Sequence, residues 1–332
     1  MTETTRTVFE KYLVRKTKKQ KSAFIDYVQT QAAAEGYGCR VEKGYCGARN
    51  IVVGDPDRAK VIYTAHYDTC ARLPFPNFIT PKHIGIYLLY QIALTVLLLG
   101  VPLLLILIGE GLLLSAVPMG EAAKDLLMDV SLLVLLVAEL WLMLAGPANK
   151  HTANDNTSGV TVLLDTMLAM PQDLRGEVAF IFFDLEEMGL FGSAGFAARH
   201  KPVAKHTLLL NFDCVSDGAT ILFAVNRGAK RHIPALQNAF PAGEDRPVVI
   251  ASEGVLYPSD QAWFLGGVGV AALKRSRRGI LYMDRIHTDR DTVYEEANIT
   301  YLTEGAIRLL REMVGTPLAC SEPNDTLPDS VL

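Results

Sequence analysis

The chain has 332 residues, 50% hydrophobic and 20% charged, enough for one large α/β core or two medium domains and too apolar for disordered or collagen-like classes. Thirty-two basic against 36 acidic residues give a formal charge of −4, without the basic footprint of a nucleic-acid binder, so nucleic acid is excluded as a partner. Cys39, Cys46, Cys70, Cys214 and Cys320 are odd in number and lack CxxC spacing, which argues against a disulfide framework and a thiolate zinc knuckle. The polar N-terminus MTETTRTVFEKYLVRKTKKQK has no apolar stretch of the kind a secretory signal needs.

In chain order, residues 7–36 read as helical, with Val8, Tyr12, Phe24, Tyr27 and Val28 as apolar positions and Gly36-Tyr37-Gly38 as the stop. Within it, Arg15 to Lys21 reads as a solvated helix face, with attraction to anionic lipid as its second use. Branched apolar runs at 49–53, 60–65, 178–183, 207–212, 219–225 and 268–273 predict strands. Stretches near 157–170, 190–200, 258–266 and 297–314 read as helices. The alternation predicts an α/β fold with a mostly parallel, mixed central sheet and helices on both faces.

One region breaks the rhythm. Ile84 to Gly109 is 26 residues without a formal charge, and Val130 to Gly146 is interrupted only by Ser131 and Glu139. Both approach membrane-spanning length. Buried core helices or a dimer interface are the alternative, favoured by Glu139, because a carboxylate at mid-bilayer is costly. The expectation is a transmembrane hairpin, residues 83–149, inserted into a discontinuous domain of residues 1–82 and 150–332, with the lipid bilayer as partner over residues 84–146. Lys82 and Lys150 flank it while Glu110 and Glu121 are assigned to its turn, which places the globular part in the cytoplasm. An exposed hairpin also suits self-association into a homo-oligomer.

The chemistry-bearing residues cluster in five short motifs. VIYTAHYDT ends a strand with His66 and Asp68 on one face. ANDNTSGV sets Asp155 just before an apolar helix, where a carboxylate bridges cations or merely caps the helix. VAFIFFDLEEMGLFGS ends a strand with adjacent Glu186 and Glu187, LLLNFDC ends another with Asp213, and RIHTDRDT presents His287 in a loop. Singly, each is as well read as structural. Together they gather imidazoles and carboxylates at strand C-termini, where open α/β sheets bind ligands, and the donor types suit zinc.

The ordered set His-x-Asp, Asp, Glu-Glu, Asp, His resembles the co-catalytic di-zinc exopeptidases of the bacterial leucyl aminopeptidase, glutamate carboxypeptidase and glutaminyl cyclase superfamily, over residues 20–82 and 150–314. The resemblance implies two Zn²⁺ ions, with His66 and Asp213 on one, Glu187 and His287 on the other, and Asp155 bridging. It implies that Asp68 orients His66, that Glu186 is the general base, and that Tyr257 donates to the oxyanion. It further implies a zinc metallopeptidase acting on peptide bonds, an aminopeptidase by preference. Glutaminyl cyclase chemistry, hydrolysis of N-acyl amino acids or lipopeptides, and a non-catalytic membrane scaffold are the alternatives.

Two features depart from the relatives. Eighty-six residues separate Asp68 from Asp155 where soluble relatives have a short loop, and Gln261 follows Ser259-Asp260 where many carry histidine. The basic run Lys274 to Arg278 reads as a solvated loop, with recognition of a substrate carboxylate as the competing use.

Overall fold

A computed structural model describes residues 1–116 and 119–315; Cys320 falls outside the described residues. The strands are β1 (Cys39–Lys43), β2 (Arg49–Gly54), β3 (Val61–His66), β4 (Val178–Phe183), β5 (Leu208–Phe212), β6 (Thr220–Val225), β7 (Val248–Ala251), β8 (Gly267–Arg275) and β9 (Leu281–Tyr282). They form one sheet in the order β1-β2-β4-β3-β5-β8-β6-β7, with β9 paired to β8. The central strands β4, β3, β5 and β8 run parallel. Antiparallel pairing of β1 with β2, β2 with β4 and β6 with β8 makes the sheet mixed, as the sequence predicts.

Alternation along the strands feeds two cores. Ile51, Val53, Val61, Tyr63, Phe180 and Phe182 face the helices Lys18–Ala34, Gly159–Ala169 and Glu296–Gly315, meeting Phe24, Val28, Leu163 and Leu309. The intervening Val52, Ile62, Ala179, Ile181 and Phe183 face Phe196, Val203 and Phe264 on the other side. With both faces covered, β3, β4 and β5 are buried at every residue, which explains their unbroken apolar sequences.

The predicted N-terminal helix is two helices, Glu3–Lys11 and Lys18–Ala34. Thr17 breaks it with a capping box: its hydroxyl accepts the Gln20 N–H at 3.3 Å and Gln20 Oε1 accepts the Thr17 N–H at 2.9 Å. The solvated-face reading of Arg15 to Lys21 is corrected here. Arg15 and Lys21 are buried, and of the basic residues in the run only Lys18 and Lys19 are exposed. The helix expected near 258–266 is a single turn, Asp260–Trp263. The short strands β1 and β7 lay outside the sequence reading because their burial is incomplete and their apolar alternation weak.

The insertion is helical in both arms. Ile84–Leu112 is, among the described residues, the one helix long and apolar enough to cross a membrane. Glu121–Leu140 packs against it and continues helically through Ala145. Leu89, Leu112, Leu133 and Val134 are 60–68% exposed, so these are not core helices of the globular part. Glu110, expected in the turn, lies inside the first arm and is buried. At the base, Ala71 bridges to Ala148, and Arg72 N–H donates to the Pro147 carbonyl at 2.8 Å.

Candidate metal centre

Parallel register brings the strand ends level: His66 pairs with Phe183 across β3 and β4, and Thr64 with Asn211 across β3 and β5. His66, Glu186, Glu187 and Asp213 therefore emerge along one edge, while Asp155 and His287 approach from loops. His287 stands at φ 65°, a left-handed backbone conformation that aims its ring inward.

The Asp155 carboxylate lies between the two imidazoles. Its Oδ1 is 3.3 Å from His66 Nε2 and its Oδ2 is 3.1 Å from His287 Nε2. Asp213 Oδ1 closes on His66 Nε2 at 3.4 Å, and Glu187 Oε2 on His287 Nε2 at 3.2 Å. Two groups of donors thus share Asp155, and in each the donor atoms lie within 4.8 Å of one another. A cation fits both. Asp213 Oδ1 and Glu187 Oε1 are buried without a hydrogen-bond donor, a costly condition for a carboxylate that a metal ion removes. Burial opposes charge on His66 and His287, yet the surrounding carboxylates hold both pKa values well above the ordinary imidazole value. The clustered carboxylates thus demand positive charge, which a cation held by the neutral imidazoles would supply.

Each member is held by its neighbours. Asp155 follows a loop fixed by Asp291, whose Oδ1 and Oδ2 accept the N–H groups of Asn154 and Asp155 at 2.8 and 2.9 Å. Asn156 donates to the Phe212 carbonyl at 3.0 Å and accepts from Cys214 N–H at 3.2 Å, stitching that loop to the end of β5. Asp68 stands beside the other ring nitrogen of His66, where the resemblance implies an orienting role. Its main-chain carbonyl is 3.1 Å from His66 Nδ1 while its carboxylate oxygen stays 3.6 Å away. That carboxylate also accepts the N–H groups of Glu186 and Glu187, at 3.1 and 3.3 Å.

Glu186 reaches the same space, within ligand distance of His66 and Glu187. Burial raises its pKa well above the ordinary carboxylate range; His66 pulls it down, and Glu187 and Asp213 push it up. Tyr257 is buried, and its hydroxyl donates to the Asp213 main-chain carbonyl at 2.9 Å. Gln261 is structural here, donating to the Tyr257 carbonyl at 2.6 Å and accepting from Asn211 at 3.2 Å. The basic run Lys274 to Arg278 turns outward at Arg275, Arg277 and Arg278, while Lys274 pairs with Asp217 at 3.2 Å.

The sequence reading missed the cations beneath the centre. Arg15 is fully buried, donating to the Tyr67 and Tyr12 carbonyls at 2.5 Å each and to Thr157 Oγ1 at 3.3 Å. Lys21 pairs with Asp184 at 2.5 Å, and Asp184 also accepts the Arg49 N–H at 2.9 Å. Among lysines and arginines read as a run, nothing in the sequence marks the two that turn inward.

Residues 138–307 match the model of peptidase family M28, an interval that contains Asp155, Glu186, Glu187, Asp213, Tyr257 and His287 but begins after the insertion's first arm and so omits His66 and Asp68. No curated protein matches the chain. Three solved structures share its fold. The Legionella pneumophila LapA aminopeptidase aligns at TM-score 0.55 and 13% identity over 94% of this chain and 71% of that one. The Porphyromonas gingivalis glutaminyl cyclase aligns at 0.55 and 18% over 93% and 96%. A Zn-dependent exopeptidase from Parabacteroides distasonis aligns at 0.53 and 16% over 94% and 98%. The chain belongs to peptidase family M28: it is a metal-dependent exopeptidase built on a mixed α/β sheet.

Proposed function

We propose that the protein is a membrane-anchored zinc aminopeptidase with two ions, one held by His66 and Asp213 and the other by Glu187 and His287, and with Asp155 shared. The observation that carries this is the Asp155 carboxylate, one oxygen toward each imidazole. Imidazole and carboxylate donors suit zinc, and the fold is that of structures titled an aminopeptidase and a Zn-dependent exopeptidase. Bound there, the ions would supply Lewis acidity toward the scissile carbonyl and an acidified water. Glu186 takes the proton of the attacking water and returns it to the leaving amine. Asp68 fixes where Glu186 and Glu187 stand, through their main-chain N–H groups. Tyr257 acts as a clamp on the Asp213 main chain, since its proton is already donated there.

Residues 1–82 and 150–332 form the peptidase domain, and residues 84–146 enter the bilayer, supported by the outward apolar side chains of both arms. The catalytic domain is read as cytoplasmic from Lys82 and Lys150 at the base. The test is hydrolysis by detergent-solubilised protein of matched free-amine peptides, N-acylated peptides, long-chain N-acyl amino acids and an N-terminal glutaminyl peptide, alongside a metal count. Cleavage confined to free amines, with two zinc ions per chain and loss in Glu186→Gln, is expected. Preference for acylated members, or ring closure of the glutaminyl peptide, overturns the aminopeptidase assignment. Equal turnover by wild type and Glu186→Gln overturns the catalytic one.

A further inference from the structure

The sequence alone gives no reason to place a cysteine in the centre, and the spacing of the five argues against thiolate ligation. The fold changes this. Cys70 follows β3 by four residues, is 2% exposed, and offers its Sγ within 4.8 Å of the donor atoms of Asp155, Glu187 and His287. Glu187 stands beside it with its side chain 9% exposed and Oε1 unpartnered. A buried cysteine usually serves as a small apolar side chain. Cys214 packs with Leu222 and Ala271, and although Asp213 and Asp155 lie near it, it belongs to none of the groups of donors that could hold a metal ion among the described residues. Cys70 forms one such group with the carboxylates of Asp155 and Glu187 and the imidazole of His287.

The insertion's base holds the thiol there. Asn149, at the returning end, donates its N–H to the Cys70 carbonyl at 3.1 Å. The Asn149 side-chain amide lies 3.8 Å from Cys70 Sγ and donates to the Thr288 carbonyl at 2.9 Å. One residue therefore ties the thiol-bearing strand end to the loop that carries His287.

We propose that Cys70 Sγ is the fourth protein donor to the ion held by Asp155, Glu187 and His287, binding as thiolate with its proton released to solvent. The proposal rests on the two-ion reading above and makes the two positions unequal. Asp155, Glu187, His287 and Cys70 give one ion four protein donors, the number that fills a structural zinc site. His66, Asp213 and Asp155 give the other three, leaving an opening for water beside Glu186. The sulfur also biases its position toward zinc, cobalt or cadmium over manganese or magnesium.

The test uses the full-length protein in detergent, stripped with a chelator and titrated with Co²⁺, with zinc-edge X-ray absorption on the zinc-loaded wild type. Expected are a near-ultraviolet sulfur-to-cobalt charge-transfer band and a sulfur neighbour at about 2.3 Å from zinc. Cys70→Ser should lose the band, keep the visible ligand-field bands, and weaken one of the two ions by about 10-fold or more. Cys214→Ser should keep the charge-transfer band. If Cys70→Ser fails to fold, the wild-type absorption edge decides alone. Two cobalt ions bound without the sulfur band or sulfur shell overturn the Cys70 assignment and leave the metal centre standing. A chain that takes up no metal overturns both.

Discussion

The Asp68 carboxylate accepts the main-chain N–H of Glu186 at 3.1 Å, so the residue beside His66, a proposed metal ligand, sets the position of the proposed proton acceptor. The same carboxylate accepts from Glu187 at 3.3 Å. Asp68→Asn leaves one oxygen to accept and sets an NH2 donor against the other N–H. The expected result is a loss of about 10- to 100-fold in both metal affinity and kcat, the scale of other residues that orient metal ligands. Metal titration and steady-state kinetics on the same preparation check this.

Glu186→Gln keeps the shape of the side chain and removes the proton acceptor. Turnover is expected to fall by about 10²- to 10⁴-fold with the metal count unchanged. A simultaneous loss of metal would assign Glu186 to ligation instead.

Arg15→Leu should destabilise the fold without touching substrate. It strands the Tyr67 and Tyr12 carbonyls, and Thr157 loses a donor. Burial lowers the Arg15 pKa only to about 10, so the cation persists at neutral pH beside Asp68 and Asp155. A cost of about 2 to 4 kcal/mol is expected, read as a lower Tm for the substituted protein.

Asp165 provides a pH test remote from the centre. Burial raises its pKa to about 6, against hydrogen bonds from Thr2 and Thr5, and Thr2 Oγ1 donates to its Oδ1 at 3.0 Å. Because the folded value lies above the unfolded one, the native state holds the proton more tightly. Stability should therefore fall as pH rises from about 4 to 6, by about 2 kcal/mol. Asp165→Asn should flatten that part of the stability curve, measured by denaturant unfolding at a series of pH values.

Replacing residues 84–146 by a short Gly/Ser linker leaves the Ala71 and Ala148 bridge at the base. The full chain is expected in the alkali-resistant membrane fraction and the shortened one in the supernatant, with turnover of short free-amine peptides retained. A full chain released by alkali would sink the bilayer reading.

Much of the sheet was legible because its central strands are buried on both sides and read as unbroken apolar runs: Val178 to Phe183 was placed to the residue. The edge strands were not, since Cys39–Lys43 is largely exposed and mixes its apolar positions with charge. The residues proposed as metal ligands stood out by residue type, His66, Glu187 and Asp213 at strand ends and Asp155 and His287 in loops. Asp291 and Asn156 did not, because their work is hydrogen bonding to main chain brought near by folding, and no spacing encodes it. Arg15 was misread for a related reason: charge alone does not say which side of a helix break faces the core.

The sheet order carries a consequence for how the chain is made. β3, which ends in His66, is flanked by β4 on one edge and β5 on the other, and β2 also waits for β4. Both of β3's neighbours are translated after the insertion. While the two apolar arms leave the ribosome, the first 82 residues have only the β1–β2 pairing complete, and β3 presents two unpaired edges of Val, Ile and Tyr. Such edges invite association with other chains. Early capture of the arms by a bilayer would hold the unfinished half apart from its copies until residue 212 arrives, so the insertion would serve biogenesis as well as location.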